Sequence, residues 1–150
     1  MVQQKNSLQN LSQELREQIS EISIYSGALN TQCIIECVAK IKKAFPALPI
    51  DFYEVFRERI RNTNFSDKRL VDAVNFVIDN CVYPTPTIAN FISFDKKYKI
   101  YTYEEMLKKL DDYGNDSKFW DSYKSVLLPN YKERVWIHVN DIAMYNIQYD

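Results

Sequence analysis

Apolar residues recur at helical spacing through most of the N-terminal two thirds of the chain. Leu8, Leu11, Leu15, Ile19 and Ile22 form one stripe, with Glu14, Arg16, Glu17, Gln18 and Glu21 mostly off it, which predicts an amphipathic helix over residues 7–25. A heptad frame from Leu8 through Leu11, Leu15, Gln18, Ile22 and Tyr25 is short and imperfect. Packing within the chain is therefore the favoured reading of this stripe, and a homodimer through residues 7–25 the second.

Gly27 and Asn30 punctuate the chain, and Thr31 is the expected cap of a helix to about Ala44 with Ile34, Ile35, Val38 and Ile41 facing inward. Pro46 and Pro49 then impose a rigid connection. Asp51 is expected to cap a further helix bearing Phe52, Val55, Phe56 and Ile60, and Ser66 the helix Asp67–Asn80 with Leu70, Val74, Val77 and Ile78. Pro84 and Pro86 end that pattern, because proline lacks the N–H that a helix interior needs and restricts the residue before it. Thr85 as N-cap and Pro86 as first helical residue would restart a short helix containing Ile88, Ala89, Phe91 and Ile92. Pro84, Pro86 and Ile88 thus mark a structural corner.

The pattern changes near residue 95. Tyr98–Tyr101 alternates like a half-buried strand, and Thr102 with Glu105 matches a capping box opening a helix to about Asp112. Gly114 stands where a left-handed cap belongs, and Asp116 or Ser117 can cap a short helix with Phe119 and Trp120. Tyr123–Leu128 and Glu133–Val139 flank Pro129-Asn130-Tyr131-Lys132, and Val135, Ile137 and Val139 alternate with Arg134, Trp136 and His138, predicting a β-hairpin. Asn140 or Asp141 then caps a final short helix with Ile142, Ala143 and Tyr145. The expected fold is mainly α: a multi-helix domain over 1–94, with a small C-terminal α+β extension over 95–150 that contains the hairpin and packs on it as one structural unit.

Composition narrows the chemistry. With only 2 glycines, Gly27 and Gly114, the chain has no glycine-rich phosphate loop. Its 3 cysteines, Cys33, Cys37 and Cys81, are an odd number with no signal-peptide pattern, so a disulfide framework is not expected and a cytoplasmic location is. No apolar run approaches the roughly 20 residues that span a bilayer, so no membrane partner is expected. Net charge is −1 overall, but residues 40–69 hold eight basic side chains against four acidic ones, while 110–150 hold four against seven.

Cys33 and Cys37 share a helix face, but further metal ligands are missing, and packing is the simpler role. A nucleophilic pair would need His138, the sole histidine, to meet a cysteine. Asp111 with Asp112, or Glu104 with Glu105, are adjacent on a helix and point apart, so neither is an acid/base dyad. No enzyme activity, cofactor or metal is expected. The sharpest candidates are Lys40, Lys43, Arg57, Arg61, Lys68 and Arg69, basic residues that can contact nucleic-acid phosphates or a protein partner. The run from Phe94 to Tyr103, mixing aromatic and basic residues, can stack bases, although a tyrosine-rich strand on a small core is the commoner reason for such a run.

Phe45-Pro46, Phe52, Phe56, Ile60, Phe65-Ser66-Asp67, Leu70, Ala73-Val74, Pro84 and Pro86-Thr87-Ile88-Ala89 together resemble the N-terminal domain of phage replicative-helicase loader/inhibitor proteins. The resemblance covers about residues 44–94. It implies a non-enzymatic adaptor in DNA replication of a phage or mobile element, with a replicative helicase as protein partner. The chain departs from that pattern in continuing into an α+β segment where the family has a flexible tail. The alternatives are a nucleic-acid-binding module using residues 40–69 and an interaction or inhibitor protein unrelated to replication.

Overall fold

The computed structural model describes residues 21–150. The fold is mainly α, with a small C-terminal α+β segment. The chain divides into two compact units, one of Tyr25–Lys96 and one of Lys97–Asp150 together with residues 21–24.

The helical unit contains α1 (Thr31–Ala44), α2 (Ile50–Asn62), α3 (Asp67–Asn80) and the short α4 (Ile88–Ile92). Its core includes Ile34, Val38 and Ile41 of α1, Phe56 and Ile60 of α2 and Leu70, Val74 and Val77 of α3, as the periodicity predicted, and also Cys37, Phe45, Tyr53, Phe65 and Ala73. Ile35 on α1 and Val55 on α2 depart from the expected stripes and are exposed. The short α4 is held by one anchor. Phe91 is fully buried, its ring 5.2 Å from that of Phe56 in an edge-to-face contact and 6.2 Å from Phe52.

Helix starts differ from expectation in an instructive way. Ser66 caps α3 as expected, accepting the Arg69 N–H at 3.2 Å. At α1 the N-cap is Asn30 rather than Thr31, because the Asp67 carboxylate at the start of α3 accepts both the Asn30 N–H (2.7 Å) and its side-chain amide (2.9 Å). One carboxylate thus serves the starts of two helices. At α2 the N-cap is Pro49, and Asp51 lies in the first turn, where negative charge suits the helix dipole.

At the corner, the restart is two residues later than Thr85 and Pro86. Thr87 is the N-cap and Ile88 the first helical residue; Asn90 Oδ1 accepts the Thr87 N–H at 2.8 Å and its hydroxyl at 3.0 Å. Pro86 is buried just ahead of the cap, Ile88 is half-buried and Pro84 is exposed. Asn90 offers Thr87 the reciprocal side-chain acceptor that Thr85 lacks.

In the second unit, β1 (Glu21–Ser23) pairs antiparallel with β2 (Lys97–Lys99), placing Ile22 opposite Tyr98. The helix expected over 7–25 therefore does not extend through residues 21–25, and its remainder, with the proposed dimer stripe, lies outside the described residues. Ile22 and Ile24 pack on the core of Tyr98, Ile100, Val126, Leu128, Val135 and Ile137. The pairing also places residues 21–24 with the second unit, not with the helices.

After β2 come α5 (Tyr103–Asp112), a 3-10 helix (Ser117–Ser122), β3 (Tyr123–Val126), β4 (Val135–His138) and α6 (Val139–Tyr145). Thr102 caps α5, its hydroxyl accepting the Glu105 N–H and donating to the Glu105 carboxylate, both at 3.2 Å. Gly114 follows with φ +79°, the left-handed conformation expected of it. Asp116 caps the 3-10 helix. The hairpin pairs Tyr123 with His138 and Val126 with Val135, burying Val135 and Ile137 as the alternation predicted. α6 begins earlier than Asn140 or Asp141 predicted, because the His138 imidazole is its cap: Nδ1 accepts the Asn140 N–H at 3.1 Å. Among the described residues, no helix is long and apolar enough to cross a membrane.

Candidate functional site

The six basic candidates all lie on the helical unit, but they divide into two groups by what surrounds them. Arg69, near the start of α3, faces inward. Its Nε donates to the Phe94 carbonyl at 2.8 Å, Nη2 to Ile92 at 3.3 Å and Nη1 to Asn64 at 3.4 Å. The guanidinium carbon sits 4.1 Å from the centre of the Phe65 ring, and the Asp95 carboxylate is 3.9 Å from Nε. With its side chain only 11% exposed, Arg69 ties the end of α4 to the start of α3. A planar fork of donors suits this task, since three carbonyls are reached at once.

Two more candidates are engaged at the surface. Lys68 pairs with Asp72 one turn on at 2.8 Å, and Lys40 donates to the Asn75 side chain, linking α1 to α3. Asp72 also accepts from the Tyr25 hydroxyl at 2.8 Å. Burial works to raise the Asp72 carboxyl, but the hydrogen bonds from Lys68 and Tyr25 outweigh it and leave the group below its ordinary value. Tyr25 moves the opposite way, pushed up by burial and by the anion it donates to.

Arg57 and Arg61 form the second group. They lie one turn apart on α2 and line a shallow depression with Glu54, Glu58 and Asn62. Among the described residues neither arginine forms an ion pair, and nor does Lys43 in the last turn of α1. Lys42, its neighbour, lies over the Tyr53 ring at 5.1 Å. Among the described residues, half of the six candidates, Arg57, Arg61 and Lys43, are thus without an ion pair, as is Arg59 between the two arginines of α2.

The same unit exposes apolar side chains. Phe76 on α3 is 50% exposed, and Val82 and Tyr83, in the corner after α3, are 87% and 73% exposed. Ile35, Val55 and Val71 are also partly open to solvent. The corner is not loose: α3 ends on the Cys81 N–H bond to Val77, the Cys81 thiol donates to the Tyr83 carbonyl at 3.5 Å, and Pro86 is buried beyond it. Periodicity could not find Val82 and Tyr83, because they fall outside any helix.

The chain matches no family model, curated protein or solved structure at a significant level. The site must therefore be read from its own geometry. Cys33 and Cys37 share one face of α1. Burial pushes the Cys37 thiol up to about 12 and raises Cys33 as well, so both are held as thiols. Among the described residues, no group of three or more histidine, cysteine or carboxylate side chains is placed to hold a metal ion.

Proposed function

We propose that the protein is a binding adaptor whose helical unit docks a protein partner through Phe76, Val82 and Tyr83. The observation that carries this reading is the exposure of Val82 and Tyr83 on a corner fixed by proline and a helix cap. A large aromatic and a β-branched side chain held in water on a rigid turn gain most when a partner covers them. From the resemblance of residues 44–94 to phage helicase loader/inhibitor proteins, the partner we propose is a replicative helicase, and the setting DNA replication of a phage or mobile element in the cytoplasm. The protein acts by contact in this reading, not by turnover of a substrate.

A second reading, nucleic-acid binding through residues 40–69, is favoured by Arg57, Arg61 and Lys43, which have no ion-pair partner among the described residues. It is weakened because Arg69 spends its donors on backbone carbonyls and Lys40 and Lys68 have partners of their own. Phosphate affinity grows with the number of cations free to reach the backbone, so each one engaged within the fold lowers it. Retention of helicase by the immobilised full chain, compared between wild type and Val82→Asp or Tyr83→Asp, tests the adaptor reading. Binding to single-stranded DNA that Arg57→Ala with Arg61→Ala abolishes would support the second.

A further inference from the structure

A shallow, open cleft of about 590 Å³ lies in the C-terminal unit. Four rings lie along it, mutually tilted by 44°, 38° and 76°, with Tyr113 exposed and Phe119 buried behind it. Tyr113 at the end of α5 lies 5.7 Å from Phe119 of the 3-10 helix, Phe119 lies 5.1 Å from Tyr123 of β3, and Tyr123 lies 5.1 Å from His138 at the end of β4. His138 Nδ1 accepts the Asn140 N–H at 3.1 Å, which fixes the ring in place and leaves Nε2 as its other ring nitrogen. Burial raises the Tyr123 phenol above its ordinary value, so it remains a donor.

The rest of the lining is charged in both signs. Lys109 and Lys118 stand with Asp112 and Asp116, and among the described residues none of the four is in an ion pair. Asp116 Oδ1 accepts the Lys118 backbone N–H at 3.0 Å, and the Lys109 ammonium lies 4.8 Å above the Tyr101 ring. A plain aromatic ligand would use the rings and leave two lysines and two carboxylates idle, while a simple anion would use the lysines alone. A nucleotide meets all three features: a π-face for the exposed Tyr113 ring, a phosphate for the ammonium groups, and sugar hydroxyls or exocyclic amines for the carboxylates.

We propose that this cleft binds a nucleotide, stacked by its base on the exposed Tyr113 ring with its phosphate at Lys109 and Lys118. The chemistry is shared by a free mononucleotide and by a nucleotide within a single strand. The site is in a different unit from the adaptor surface and stands or falls separately from it.

The sole histidine gives the test its readout, since its ring proton signals need no mutagenesis to assign. The full chain is titrated with GMP and AMP in one arm and with a short single-stranded oligonucleotide in the other. A saturable shift of the His138 ring signals is expected, and Tyr113→Ala should weaken the affinity about tenfold, within the range of base–aromatic stacking. Tyr113 is 69% exposed, so this variant keeps the fold. Saturation by mononucleotide identifies the free form as sufficient, and saturation by the oligonucleotide alone identifies the strand. Absence of a saturable shift from either at millimolar concentration, or unchanged affinity in Tyr113→Ala, would overturn the proposal.

Discussion

Replacing Arg69 by alanine separates a structural arginine from a phosphate contact. The substitution removes a 2.8 Å and a 3.3 Å bond to the carbonyls of Phe94 and Ile92, a longer one to Asn64, and the cation over Phe65. Bonds from a charged donor contribute about 1.5–3 kcal/mol each, and a cation over a ring about 0.5–2 kcal/mol, but such terms overlap when one group makes them all. The carbonyls left behind can recruit water at this partly open edge, which lowers the cost further. A loss of about 3 kcal/mol is expected for Arg69→Ala and about 2 kcal/mol for Arg69→Lys, which keeps the charge but not the fork. The assay is urea unfolding followed by two probes. Both tryptophans, Trp120 and Trp136, lie in the C-terminal unit, so their fluorescence reports that unit, whereas the far-ultraviolet circular dichroism is dominated by the longer helices of the other. The dichroism midpoint should fall by about 2 M urea, taking a slope of about 1.5 kcal/mol/M for a domain of this size. A surface arginine would cost at most about 0.5 kcal/mol. A change below about 1 kcal/mol in Arg69→Ala, or full retention of stability in Arg69→Lys, would refute the clamp.

Four further outcomes are expected. Phe91→Ala should cost about 3–5 kcal/mol in the same dichroism transition, because α4 has no other fully buried anchor, and Phe91→Leu should recover much of it. Stability of the helical unit should decline as pH rises from the ordinary thiol value of 9.0 toward about 12, since burial raises the folded Cys37 thiol and its protonated form is the one the fold favours; Cys37→Ala should flatten that limb. At the acid end, Asp67 and Asp72 are both depressed in the folded state, so their contribution is present above about pH 4 and is lost as pH falls through the lower folded values; Asp67→Asn should reduce the acid dependence. Cross-strand proton contacts between Ile22 and Tyr98 should appear by nuclear magnetic resonance, and a helical pattern of sequential contacts over residues 21–23 would contradict the strand.

The helices were legible because each buries one stripe at 3-4 spacing, and Leu70, Val74 and Val77 carry that signal without help from distant residues. Ser66, Thr102 and Gly114 were legible for the same reason: a cap or left-handed turn is decided within a few residues. Where a cap depends on another part of the chain, local reading failed. Asn30 is fixed by Asp67, which lies 37 residues away, and the choice of Asn30 over Thr31 follows from that contact. β1 was missed because Ile22 and Ile24 also satisfy strict alternation, and only the distant partner strand distinguishes it from a helix. The basic candidates show the same limit in chemistry. A sequence displays eight cations between residues 40 and 69, but it does not display the three carbonyls that meet Arg69. Val82 and Tyr83 carried no periodic signal at all, and the aromatic cluster at the cleft is assembled from four elements whose order in sequence gives no hint of their adjacency.

The adaptor account is tested most directly by measuring how much replicative helicase the immobilised full chain retains, with wild type, Val82→Asp, Tyr83→Asp and the Arg57→Ala/Arg61→Ala pair side by side. The account predicts retention by wild type that survives moderate salt, falls at least tenfold in either corner variant and is little changed in the double arginine variant. No complex at low salt, or a complex lost with Arg57 and Arg61 while the corner variants bind normally, would contradict it.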